Sequence, residues 1–220
     1  MSVRERLGLS ARRQRQATWA MEVVLVGILL LGLQQGSATI VVNALVALGV
    51  AQLPPLLERD FDIPLDPALA LWLTAAAFFH AVGVVAPPGP EARTIYGTIE
   101  WWDHFTHALS ASVVAGAGYA TTRALDAHSE DIVLPGSFVF VFILLFVMAF
   151  GVAWEVLEFA LGVGARLVGN RSLLTQYGLE DTMMDLIFDL FGAVLVATWG
   201  TAYLADLSGR IEEFLTSRSV

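Results

Sequence analysis

Residues 136–159 read GSFVFVFILLFVMAFGVAWEVLEF, and no charge interrupts the run until Glu155. A hydrocarbon core of about 30 Å asks a crossing helix for roughly 20 apolar residues, and this stretch supplies them. It is a membrane span, and the rest of the chain follows its lead. Hydrophobic residues make up 56% of the 220, and mean hydropathy is +0.68. Windows of the same kind at 19–34, 37–57, 68–86, 103–124 and 182–205 join 133–165 as candidate spans. The expected fold is all-α, a polytopic membrane helix bundle of about six transmembrane helices over residues 19–206. A basic N-terminal tail, 1–18, precedes it and a short C-terminal tail, 207–220, follows.

The breaks between spans carry residues that end helices: Gln34 to Ser37, Pro54-Pro55 through Pro67, Pro87-Pro88-Gly89-Pro90, Asp126 to Asp131, and Gly169 to Gly178. The fifth span is longer than the hydrocarbon core at 1.5 Å per residue. It must tilt, break near Gly151, or carry its Glu155 end beyond the lipid. Cysteine is absent, which removes disulfides and thiolate chemistry. The 12 basic residues are all arginine, against 21 acids, for a formal net charge of −9. That balance excludes nucleic acid as a natural partner.

The arginines set an orientation. Arg4, Arg6, Arg12, Arg13 and Arg15 precede the first span, and six crossings put Arg59, Arg123, Arg210 and Arg218 on the same side, with Arg93, Arg166 and Arg171 opposite. The protein is then a multi-pass cell-membrane protein with both termini cytoplasmic. A secretory signal over the basic tail and Val23–Leu33 is the competing reading, and its cleavage would leave the later topology unchanged. The sequon Asn170-Arg171-Ser172 falls in a loop assigned outside.

Within this apolar frame three motifs concentrate ionisable groups: WWDHFTHALSAS at 101–112, AWEVLEF at 153–159 and DTMMDLIFDLFGA at 181–193. They supply Asp103, His104, His107, Glu155, Glu158, Asp181, Asp185 and Asp189, with no arginine among them. Charged groups at membrane depth are costly, so they pair or line a polar site. The topology brings all three motifs to the outer end of their helices, and His80, late in the third span, to a similar level. Asp103 and His107 are four apart and His104 and His107 three apart, so either pair can converge on one ligand. Glu155 and Glu158 share a stripe with Gly151 and Gly162, while Asp181, Asp185 and Asp189 share one with Gly192; glycine lets a neighbouring helix come close.

Plainer roles exist for single residues. Asp103 suits the first turn of its helix, and Thr182 to Asp185 fits a variant capping box. Glu155 and Glu158 could be interfacial groups beside Trp154, and His80 a hydrogen-bonded intrahelical histidine. Caps do not account for Asp189, set in LIFDLFGA, nor for two histidines one turn apart near several carboxylates.

The ordered succession WDHFTH, EVLEF and GLEDTMMDLIFDLFGA resembles the YjdF-like family of predicted membrane proteins and, more distantly, the VanZ-like proteins, over about residues 95–205. The resemblance implies a membrane location, and for the VanZ-like proteins a link to glycopeptide resistance at the cell envelope. Asp103 and His107 match the start of the VanZ-like pattern, Glu155 or Glu158 its central Glu, and Asp185 with Gly192 its end. Asp189 stands where that pattern has Asn, and His104 where it has Lys. Both departures make this chain more acidic there.

The expected function is an outward-facing polar site in helices four to six. A divalent metal (zinc, manganese or magnesium) would be held by Asp103, His104, His107 and Asp181, with Glu155, Glu158 and Asp185 as catalytic carboxylates and Asp189 and His80 behind them. Such a site would hydrolyse a lipid-linked substrate within the bilayer. The alternatives are a small proton- or cation-coupled transporter with Asp189 as carrier, and a structural membrane protein whose polar residues only join helices.

Overall fold

The computed structural model describes residues 10–86, 93–129, 133–169, 172–174, 176–199 and 201–218. Arg4 and Arg6 of the tail, the Pro87–Pro90 break, and Asn170 and Arg171 of the sequon lie outside them. Every regular element among the described residues is helical: α1 (Ala11–Gln35), α2 (Ala38–Ala51), α3 (Leu53–Phe61), α4 (Pro67–Gly83), α5 (Trp101–His128), α6 (Gly136–Leu167), α7 (Leu179–Trp199) and α8 (Thr201–Arg218). The all-α membrane bundle is thus present. Four segments are long and apolar enough to cross a membrane: Ala11–Gln35, Ala38–Phe61, Gly136–Leu167 and Leu179–Trp199. The six spans expected from hydropathy reduce to these four by length and composition. α4 is short, and α5 dilutes its apolar residues with Asp, His, Ser and Thr.

The chain forms two compact units, residues 1–58 with 64–99, and residues 59–63 with 100–220. In the first, α1, α2 and α4 pack on one another around Leu25, Ile28, Ile40, Ala44, Ala47 and Ala81. The junctions follow from local chemistry. Gly36 ends α1 in the left-handed conformation at φ 63°, with its N–H donating back to Gly32 and Leu33. Ser37 then opens α2 by accepting from Ile40 N. Asp66 caps α4 through Ala68 N at 2.8 Å, with Pro67 at the first helical position.

In the second unit α5 packs on α6, α7 and α8, and α6 packs on α7. α6 runs unbroken through Gly151 for 32 residues, so of the three ways open to so long a span, a break near Gly151 is not the one taken. Its buried stripe changes chemistry along its length, from Val139, Ile143 and Val147 through Gly151 to Glu155 and Glu158. The buried face of α7 changes in the opposite sense, from Asp185 and Asp189 to Gly192, Ala193 and Val196. Their polar ends coincide because α6 runs antiparallel to α7. α7 also meets α5 at close quarters: a Cβ on Gly192 would strike the carbonyl of Ala108, so only glycine permits this approach.

Candidate metal centre

The site is built in the second unit at the start of α5. His107, one turn after Asp103, is 9% exposed and turns its ring toward α7. Its Nδ1 stands 3.2 Å from Asp189 Oδ1. An ionised carboxylate can only accept, so the Nδ1 proton donates to it and fixes the tautomer. In the neutral imidazole Nε2 is then the lone-pair nitrogen, and it faces Asp103 Oδ1 at 3.8 Å and Asp185 Oδ2 at 3.9 Å. These separations are shorter than two metal–ligand bonds of roughly 2.0–2.2 Å placed end to end. Asp103, His107 and Asp185 each offer one ligand atom, all within 4.8 Å of one another. The cluster is geometrically suited to a divalent metal ion.

Close helix packing makes this arrangement possible. Gly151 of α6 lies against Asp189, whose Oδ2 occupies the place a Cβ would take. Gly192, one turn beyond Asp189, brings α7 onto α5. The ion-pair partner of Asp103, Asp185 and Asp189 among the described residues is His107. Asp185 is 2% exposed, and its Oδ1 is buried with no hydrogen-bond partner among them. Buried carboxylates are tolerated when paired or bound to a metal, and one imidazole cannot satisfy three of them.

The expected outward-facing site is corrected by this burial. Glu155, Asp189 and Glu158 are only 4, 5 and 7% exposed, alongside Asp185 and His107. The acids are enclosed between helices, and a hydrolytic site open to the outer face does not describe them. The physical reason is radial: helical spacing places these residues at one level, but the glycine contacts that close the helices over them depend on which faces meet.

The other expected site residues take varied positions. Glu155 and Glu158 lie on the buried face of α6 near the cluster, with like charges close enough to Asp103 and Asp185 to repel. His104 engages the carbonyl of Glu100 through Nδ1 at 3.1 Å and packs edge-on against Phe188. Asp181 accepts from the backbone N–H of Tyr177 at 2.9 Å, a role at the mouth of α7. Neither belongs to the three-residue group. His80 sits in the first unit, its Nδ1 2.9 Å from the Tyr96 hydroxyl. Asp103 lies in the first turn of α5, whose N-cap is Glu100.

Three donors to the glutamates were not legible in the sequence as such, although Thr182 stood there as a cap and Trp154 as a neighbour of Glu155 and Glu158. Thr182 Oγ1 donates to Glu155 Oε2 at 2.7 Å, and Gln176 Nε2 donates to Thr182 Oγ1 at 2.9 Å and to the same carboxylate at 3.5 Å. Trp154 Nε1 donates to Glu158 Oε1 at 3.1 Å. The Trp154–Glu158 spacing of four was a usable signal. Gln176 comes from a loop, where no periodicity points to a partner.

The chain is 29% identical over 127 residues to an uncharacterized protein of Thermotoga maritima, a match covering 58% of this chain and 58% of that protein. No solved structure matches it. The model of the family described as "Predicted membrane protein (DUF2238)" matches residues 16–206, a region that holds the whole His107 cluster. By that match the chain belongs to the DUF2238 family of predicted membrane proteins.

Proposed function

We propose that this is an intramembrane metal-binding protein whose working part is a divalent ion enclosed between α5 and α7. His107 Nε2, Asp103 and Asp185 are its protein ligands, and Asp189 orients the imidazole from behind. The observation that carries the proposal is the double use of one ring: Nδ1 is engaged by a carboxylate while Nε2 faces two more at 3.8 and 3.9 Å. Carboxylate–histidine pairing of this kind orients metal-bound imidazoles and raises their basicity. A mixed nitrogen and oxygen set favours zinc, manganese or iron over magnesium, which prefers oxygen ligands and retained water. Three protein ligands leave coordination positions for a ligand from outside the chain.

The membrane arrangement belongs to the same proposal. α4 and α5 complete six crossings, and both termini are cytoplasmic, supported by the arginines before α1 and in its first two turns, and by Arg59, Arg123, Arg210 and Arg218, which six crossings put on the same side. The ordered motifs from Asp103 to Gly192 also support kinship with the YjdF-like and, more remotely, the VanZ-like proteins.

Metal analysis of the purified full chain, wild type beside His107→Ala, tests the proposal. One tightly held divalent ion per wild-type chain, lost in the folded variant, is expected. Metal content that is negligible in both, or equal in both, overturns it.

A further inference from the structure

The proposed centre carries an excess of negative charge before any outside ligand arrives. Asp103 and Asp185 present oxygens to His107 Nε2, and Asp189 Oδ1 accepts from Nδ1 at 3.2 Å. Ligation requires ionised carboxylates and a neutral imidazole. Three carboxylates set against one divalent ion then leave one negative charge uncompensated. Asp185 and Asp189 are 2 and 5% exposed, so water screens that charge poorly.

The helices that build the site bring no positive charge to offset it. The chain has no lysine, and α7 has no arginine. On α5, Arg123 pairs with Asp126 at 3.0 Å, about 24 Å along the helix from His107. On α6, Arg166 is exposed about 12 Å along the helix from Glu158, with Nη1 beside Gly162. Arg210 and Arg218 belong to α8, which reaches the far end of α5, where Thr216 meets His128 at 3.2 Å. α6 instead buries two more carboxylates, and their donors are neutral: Thr182 and Gln176 on Glu155, Trp154 on Glu158.

Hydrogen bonding points the same way. Asp185 Oδ1 and Glu155 Oε1 are buried with no partner among the described residues. Both are acceptors, so what they lack is a donor. Azide, a halide or an ionised carboxylate has no proton to give. A hydroxyl on the ion can bind through its oxygen lone pair and still donate its proton to a carboxylate such as Asp185.

We propose that the open coordination positions of this centre take uncharged hydroxyl oxygen, from water or an alcohol, and reject anions. The proposal rests on the metal-site reading given above. An anion there would bury a second uncompensated charge in a low-dielectric interior. The same repulsion opposes conversion of a bound water to hydroxide, itself an anion.

The test uses the full chain in lipid nanodiscs loaded with Mn2+ and followed by electron paramagnetic resonance. Isotopically labelled water reads whether water oxygen sits on the ion, deuterated methanol whether an alcohol replaces it, and azide whether an anion does. In the wild type, broadening by labelled water and no response to azide are expected. Asp189→Asn removes the excess charge while leaving the three ligands, and azide affinity is expected to rise at least about tenfold. Water that stays when methanol is added assigns the position to water, and water that leaves assigns it to an alcohol; both keep the ligand uncharged. Azide that displaces the water from the wild type overturns the proposal and leaves the metal site standing, as does manganese that takes neither water nor methanol. Absence of any manganese sensitive to His107→Ala overturns both. Should Asp189→Asn not fold, the wild-type responses decide: water bound and azide refused support the proposal, and azide bound overturns it.

Discussion

His107 Nδ1 and Asp189 Oδ1 meet at 3.2 Å across the contact of α5 with α7, joining residues 82 positions apart in the chain. In the proposed metal centre the pair makes a histidine on one helix a directed ligand. In Asp189→Asn protein an amide oxygen can still accept from Nδ1, but without the negative charge that raises imidazole basicity. Retained metal stoichiometry with affinity lowered about 10- to 100-fold is expected, measured by competition with a fluorescent chelator. Unchanged affinity would show that Asp189 does not support His107, and complete loss of the ion would make Asp189 a ligand itself.

Thr182 holds Glu155 from the first turn of α7. Thr182→Val removes that donor from a buried carboxylate at nearly constant volume, and a lost partner of this kind costs about 1–3 kcal/mol. A lower thermal midpoint for Val and a near-normal one for Thr182→Ser are expected. Equal midpoints for the two variants would refute the role of the hydroxyl.

Gly192 lies against the backbone of Ala108. Gly192→Ala raises helix propensity in α7 but forces α7 away from α5, an overpacking cost of about 1–3 kcal/mol. Lower stability together with weaker metal binding is expected, since Asp103 and His107 lie on one helix and Asp185 on the other. A more stable protein with unaltered affinity would place the α5–α7 contact elsewhere.

Metal binding should weaken as pH falls. The imidazole and carboxylates must be unprotonated to ligate, so protons compete with the ion and are released when it binds. Calorimetry in buffers of different ionisation enthalpy reads that release directly. Affinity independent of pH would argue against ligation by these groups.

The absence of cysteine makes the orientation simple to test. Single cysteines at Arg93 and Val168, both exposed, should react with a membrane-impermeant reagent added from outside intact cells. Reaction of both only after the inner face is opened would invert the proposed topology.

The sequence determined the helical membrane character, because the spacing of apolar runs and breakers is a local property that the bilayer reads directly. It also determined the level of the polar groups: Asp103, His107, Glu155, Glu158, Asp185 and Asp189 sit near the ends of runs whose direction alternates. Gly151 and Gly192 marked the stripes where helices close. Tertiary structure alone decided which residues meet. Rotation of each helix about its axis is set by packing, and that rotation brought His107 between Asp103 and Asp185 with Asp189 behind it, while His104 went to Phe188 and Asp181 to Tyr177. It also decided that the site is enclosed, because the glycine contacts that bring α5, α6 and α7 together join residues far apart in the chain, and no local pattern encodes a distance between helices.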